Sequence, residues 1–134
     1  MTLESNKIHN ILAPISLGEL IDKITILEIK KINLNGDKLK NVVKELVLLE
    51  LIFKDQSIEI DKDLINQLQE VNEHLWKIED NIRLKENKQE FDKEFIELAR
   101  SVYKENDKRA SIKKEINLKY HSGLVEEKEY GSYN

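Results

Sequence analysis

The sequence predicts an all-α protein: two antiparallel α-hairpins, the second longer than the first, packed as a four-helix bundle or a coiled-coil-like arrangement. Three observations predict it. Apolar residues recur at helical spacing along most of the chain. Charged residues make up 36% of it, with both signs interleaved, as in long solvated helices. One Pro and four Gly in 134 residues supply too few tight turns for an all-β fold.

Residues 1–14 read as a flexible leader ending at Pro14. Ser16, Leu17, Gly18 and Glu19 then spell a capping box. The Ser16 hydroxyl accepts from the Glu19 amide and the Glu19 carboxylate reaches back to the Ser16 amide, with Ile15 and Leu20 at the staple positions. The first helix starts there and carries Leu17, Leu20, Ile21, Ile24, Leu27 and Ile32 on one broad stripe. Residues 33–37 are its stop, because Asn and Gly tolerate the left-handed conformation that ends helices.

The second helix is expected over 37–54. Leu39, Val42, Val43, Leu46, Val47, Leu49 and Ile52 form one face, and Leu48, Leu51 and Phe53 widen it almost all round. A helix apolar on so many sides belongs between other helices or at an oligomer interface. Asp61 caps the third helix, where Leu64, Leu68, Val71, Leu75, Ile78 and Ile82 alternate spacings of four and three, a heptad seam. After a turn at 85–90, Phe91, Phe95, Leu98 and Val102 open the fourth helix, which extends to 119. Periodicity does not decide whether it is continuous through 106–108. Residues 15–123 thus form a single helical domain, and 124–134 a C-terminal tail.

Composition excludes several function classes. The net charge of −4 with interleaved signs offers no basic stripe, so nucleic acid is not an expected partner. The absence of cysteine removes disulfides, thiolate metal sites and thiol catalysis. The most apolar run, 46–53, is short and contains Glu50, so no membrane span is expected and the cytoplasm is the expected compartment. No glycine-rich phosphate loop or nucleophile elbow is present, and no cofactor is expected. His9, His74 and His121 share no ligand spacing, so no metal site is expected.

The fourth helix holds the best candidate site. Its seam breaks after Val102 with Glu105 and Arg109 before resuming at Ile112 and Ile116. Arg100, Tyr103, Asn106, Asp107 and Lys113 surround the break. Two readings compete: a register-fixing ion pair along the helix or a solvated overhang, which together weigh more, and a polar pocket or partner-specifying patch in which Arg100 and Arg109 grip an anion. Glu70 with Glu73 and Glu94 with Glu97 give paired carboxylates one turn apart, but the heptad frame turns most of them to solvent. Trp76 sits beside the seam, either packed or as an anchor for a partner.

Four blocks, ISLGELIDKITILE (15–28), VNEHLWKIED (71–80), YKENDKR (103–109) and LVEEKEY (124–130), resemble a family of uncharacterised bacterial and phage proteins. That resemblance implies a single domain and an association with genes for sugar transfer and surface polysaccharide synthesis, with no activity attached. Polar residues in and beside the blocks that packing does not require include Glu19, Asp22, Lys23, Glu28, Asp80, Arg83, Asn106, Asp107, Arg109 and Glu127. Their convergence in space would make a site. The segment 20–24 is also similar to the first helix of small all-α chorismate mutases, which bind a dicarboxylate through Arg and Lys. The first helix here offers Lys23, Lys30 and Lys31 but no arginine.

The leading expectation is a non-catalytic helical interaction or assembly protein that forms a homo-oligomer or binds a partner protein. The alternative is a small enzyme or binding protein for an anionic ligand, a sugar phosphate or nucleotide. Its ligand-binding candidates are Asp22, Lys23, Arg83, Arg100, Tyr103, Asn106, Asp107 and Arg109.

Overall fold

The computed structural model describes residues 10–128 and 131. Residues 1–9 of the leader, His9 among them, and tail residues 129–130 and 132–134 lie outside the described residues. The chain forms four helices: α1 (Leu17–Asn33), α2 (Gly36–Asp55), α3 (Lys62–Asn87) and α4 (Lys93–Lys119). Among the described residues there is no strand and no helix long and apolar enough to cross a membrane.

Ser16 caps α1 as its sequence dictates, accepting from the Glu19 amide at 3.1 Å. The reciprocal half of the box is spent elsewhere: the Glu19 carboxylate pairs with Lys113 and Lys23. The next two amides of α1 are satisfied from outside the helix. Leu17 N–H donates to Ser122 Oγ at 3.0 Å and Gly18 N–H to Asn117 Oδ1 at 2.6 Å. Three of the four amides a helix start leaves orphaned are thereby paired, two of them by residues about a hundred positions away.

α1 touches all three other helices, α3 packs on α4, and α2 touches α1 alone among the described elements. The contacts Lys85–Asp92, His74–Glu105 and Lys119–Asp61 join positions ever further apart in sequence, so α3 and α4 run antiparallel. The main core lies where α1 crosses this pair: Leu17 and Ile21, Leu64, Leu68 and Val71, Ile112 and Ile116. A smaller cluster of Leu27, Val42 and Leu46 joins α1 to α2.

Several expectations meet a different outcome. Ile32 is 81% exposed, whereas Ile29 is buried in its place, because α1 turns its Ile29 face inward as it leaves the α3–α4 pair. Ile15, assigned to the staple, is exposed. α2 is not enclosed between helices: Val42 and Leu46 alone are fully buried on it. α4 starts two residues later than its apolar pattern, since Asp92 accepts from the Phe95 amide and Phe91 packs edge-on against Phe95 outside the helix. The seam of α3 holds, with Leu64, Leu68, Val71 and Ile78 buried. Beyond Ile78 and before Glu105 no residue is buried, so the far end of α3–α4 projects past the core. α4 is continuous through 106–108.

Candidate functional site

Where α1 crosses the α3–α4 pair, apolar packing gives way to a polar cluster. Asp22 on α1 is wholly buried. Its carboxylate accepts from both Nε and Nη2 of Arg109, a bidentate pair between α1 and α4, and from Asn72 Nδ2 of α3 at 2.9 Å. Asn72 also donates to Thr25 Oγ1 at 2.9 Å, and that hydroxyl donates to the Asp22 carbonyl at 2.8 Å. Removing a charge from water is tolerable only when its hydrogen-bonding capacity is met, and here three helices meet it. The bond to Asp22 raises the affinity of the Arg109 guanidinium for its proton against the opposing effect of burial.

One turn along α4, Lys113 carries the network to the surface. Its ammonium bonds Glu19 of α1 and Glu126 of the tail, and lies 3.8 Å from Asp22. Burial draws the Lys113 pKa down, but the Glu19 bond, the charges of Asp22 and Glu19 and the Glu126 bond outweigh it, and the net shift is upward. Glu126 accepts from Ser16 Oγ at 2.8 Å with its other oxygen. Lys114 then pairs with Glu127 at 2.8 Å, and Lys128 with Asp107 at 3.4 Å. The tail is thus held along α4 by ion pairs from Glu126, Glu127 and Lys128.

Between α4 and the tail lies a cleft of about 510 Å³. Tyr103, Asn106, Arg109, Lys113 and Lys114 line it from the helix, and Glu126, Glu127 and Lys128 from the tail. Asn117 closes one end. Its Oδ1 is taken by Gly18, while Nδ2 is buried with no hydrogen-bond partner, the one such side-chain atom among the described residues. α1 approaches α4 so closely there that a Cβ on Gly18 would lie 2.5 Å from the Lys113 carbonyl oxygen.

The sequence candidates divide by place. Tyr103, Asn106, Asp107 and Arg109 line the cleft together. Asp22 stands behind it, and with Lys23 and Arg109 borders a smaller recess of about 200 Å³ on the other side. Arg83 pairs with Glu79 on the projecting end of α3, and Arg100 is exposed on α4 short of the cleft. Neither borders it. Glu105 and Arg109 do not pair along α4: Glu105, itself buried, bonds Lys108 at 3.0 Å and lies 3.4 Å from His74, while Arg109 crosses to α1. Arg100 therefore does not share the cleft with Arg109, which has Lys113 and Lys114 beside it there. Of the polar residues in and beside the four blocks, Glu19, Asp22, Lys23, Asn106, Asp107, Arg109 and Glu127 border these two recesses, whereas Glu28, Asp80 and Arg83 border neither.

Thr25, Asn72, Asn117, Ser122 and Glu126 were not legible as site residues. Asn72 and Asn117 carry a signal in hindsight. Each directly follows a buried seam residue, in mid-helix or the last turn, where asparagine disfavours the helix and needs a tertiary partner.

The model of a family described as "Family of unknown function (DUF6165)" matches residues 11–133. No curated protein and no solved structure matches the chain.

Proposed function

We propose that this chain, which belongs to the DUF6165 family of unknown function, binds a small phosphorylated ligand, a sugar phosphate or nucleotide, in the cleft between α4 and the tail. The observation that carries this reading is the pair of tail carboxylates: Glu126 and Glu127 each set an oxygen on a cleft lysine, Lys113 and Lys114, from a segment outside the helices. Two adjacent ammonium groups that hold carboxylate oxygens can hold phosphate oxygens by the same charge-assisted bonds.

Three further features support it. The cleft has the volume of a small-molecule site. Asn117 Nδ2 is a donor in want of an acceptor on its wall. Tyr103 and Val102 give one side an apolar surface for a ring, and Asn106 and Asp107 offer partners for hydroxyls. A sugar phosphate also agrees with the polysaccharide association that the bacterial and phage resemblance implies. Arg109 keeps its place as a wall of the cleft, with its charge already committed to Asp22.

In this reading the ligand displaces Glu127 from Lys114, so the tail competes with it. Titration calorimetry with inorganic phosphate, a hexose 1-phosphate and a nucleoside monophosphate tests this. The expected order is one organic phosphate at least about tenfold tighter than inorganic phosphate, a difference of about 1.4 kcal/mol. Lys114→Ala weakens that binding with helicity unchanged, because among the described residues Lys114 pairs with Glu127 of the tail and with no helix, and Glu127→Gln strengthens it. No binding of any of the three at millimolar concentration, or no response to Lys114→Ala, sinks the reading.

A further inference from the structure

α2 is apolar on two opposite faces. Val42 and Leu46 are buried toward α1, with Leu49 packed beside them. An advance of about 100° per residue puts Val43, Val47, Leu48, Leu51 and Ile52 on the other half of the helix. There Val47 is 50% and Leu51 56% exposed, and among the described residues no element covers them. Contiguous apolar surface of this kind marks an interaction site.

We propose that this face pairs with the same face of a second copy of the chain, α2 against α2 and antiparallel, about a twofold axis between Val47 and Leu48. The charge pattern along the face selects both the occupant and the direction. The centre line of the exposed face runs Lys40, Lys44, Val47 with Leu48, Leu51 and Asp55. It is cationic at its start, apolar in its middle and ends on a carboxylate. In the antiparallel register, Lys40 of each copy stands opposite Asp55 of the other, and Lys44 lays its aliphatic stem over Leu51. A twofold contact repeats each pairing, so two ion pairs flank one apolar centre. The parallel arrangement would oppose Lys40 to Lys40, Lys44 to Lys44 and Asp55 to Asp55, which repel. A face that is complementary to its own reverse fits another copy of itself without needing a different partner.

The face is one helix of 20 residues, about 30 Å long, so the dimer belongs to the small, reversible class of interfaces. It lies on α2, away from the α4–tail cleft, and does not depend on the ligand reading.

Sedimentation velocity of the full chain, from about 5 to about 500 µM, tests the proposal, with dissociation in the micromolar range expected. Leu51→Lys is expected to weaken the dimer at least about tenfold, with the circular dichroism of the monomer unchanged because Leu51 lies on the exposed face of α2, outside both buried clusters. Lys40→Asp and Asp55→Lys each weaken it, and the two together restore it. A wild-type chain that stays monomeric across the range overturns the proposal. So does a dimer indifferent to Leu51→Lys, which associates by another surface. A Lys40→Asp variant that dimerises more tightly overturns the antiparallel register.

Discussion

Asp22 and Arg109 are the pair on which the interior turns. Asp22 has no exposed surface, and its side chain is satisfied by Arg109 and Asn72 from two other helices. Removing either partner of a buried pair strands the other charge. Arg109→Ala is therefore expected to lower stability by about 3 kcal/mol, read as a shift of the urea midpoint at constant slope. Arg109→Ala together with Asp22→Leu should recover much of that loss, since an apolar pair of similar volume needs no counter-charge. A single Arg109→Ala variant as stable as the wild type would mean that water reaches Asp22. Because Arg109 is structural, it makes a poor probe of ligand binding; Lys114 is the better one.

At the scale of the element, α3 and α4 are tied at both ends by capping carboxylates that also bind lysines. Asp92 accepts from the Phe95 amide at the start of α4 and from Lys85 of α3, and the Lys85 bond, followed by the amide bond, lowers its carboxyl below the ordinary value of 3.8. Asp61 does the same for α3, lowered by its bond to the Asp63 amide and then by Lys119. The Lys85 ammonium is in turn raised by Asp92, Glu94 and Glu90. A carboxyl with a lowered folded-state pKa contributes stability that is present above its unfolded value and lost as pH falls through the folded value. The thermal midpoint is therefore expected to drop as pH falls below about 4, and Asp92→Asn should be less stable at neutrality but show a shallower drop. Equal slopes for the two proteins would exclude Asp92 from the transition.

The elements themselves were largely readable from the sequence for the same local reason. Ser16 and Asp61 are capping side chains, and the apolar spacing of four and three on α3 reports one packed face. The start of α4 was misplaced because an apolar pattern does not distinguish Phe91, which packs from outside the helix, from the helical residues that follow.

For the whole molecule, the decisive contact is the approach of the first turn of α1 to α4. Gly18 permits it: its amide reaches Asn117, and the Lys113 carbonyl oxygen lies where a Cβ would stand. Gly18→Ala has to push α1 away from α4, which is expected to cost about 2 kcal/mol and to loosen the tail held by Ser16 and Lys113. Calorimetric unfolding gives the first effect, and amide exchange at Leu17 and Glu19 the second. An unchanged melting temperature would show that the helices separate without loss.

The sequence by itself determined the number of helices, the caps that start α1 and α3, the buried seam of α3 and the place where the α4 seam breaks, because caps and periodicity act over a few residues. It also marked α2 as too apolar for one neighbour. Only the tertiary structure decided what the break is for. The Arg109 charge crosses to a buried Asp22 on α1, not to Glu105 on its own helix, and the tail supplies the acids of Lys113 and Lys114. Charge carries no address in one dimension: Glu105 and Asp22 are equally acidic in the sequence, and burial by three helices chose between them.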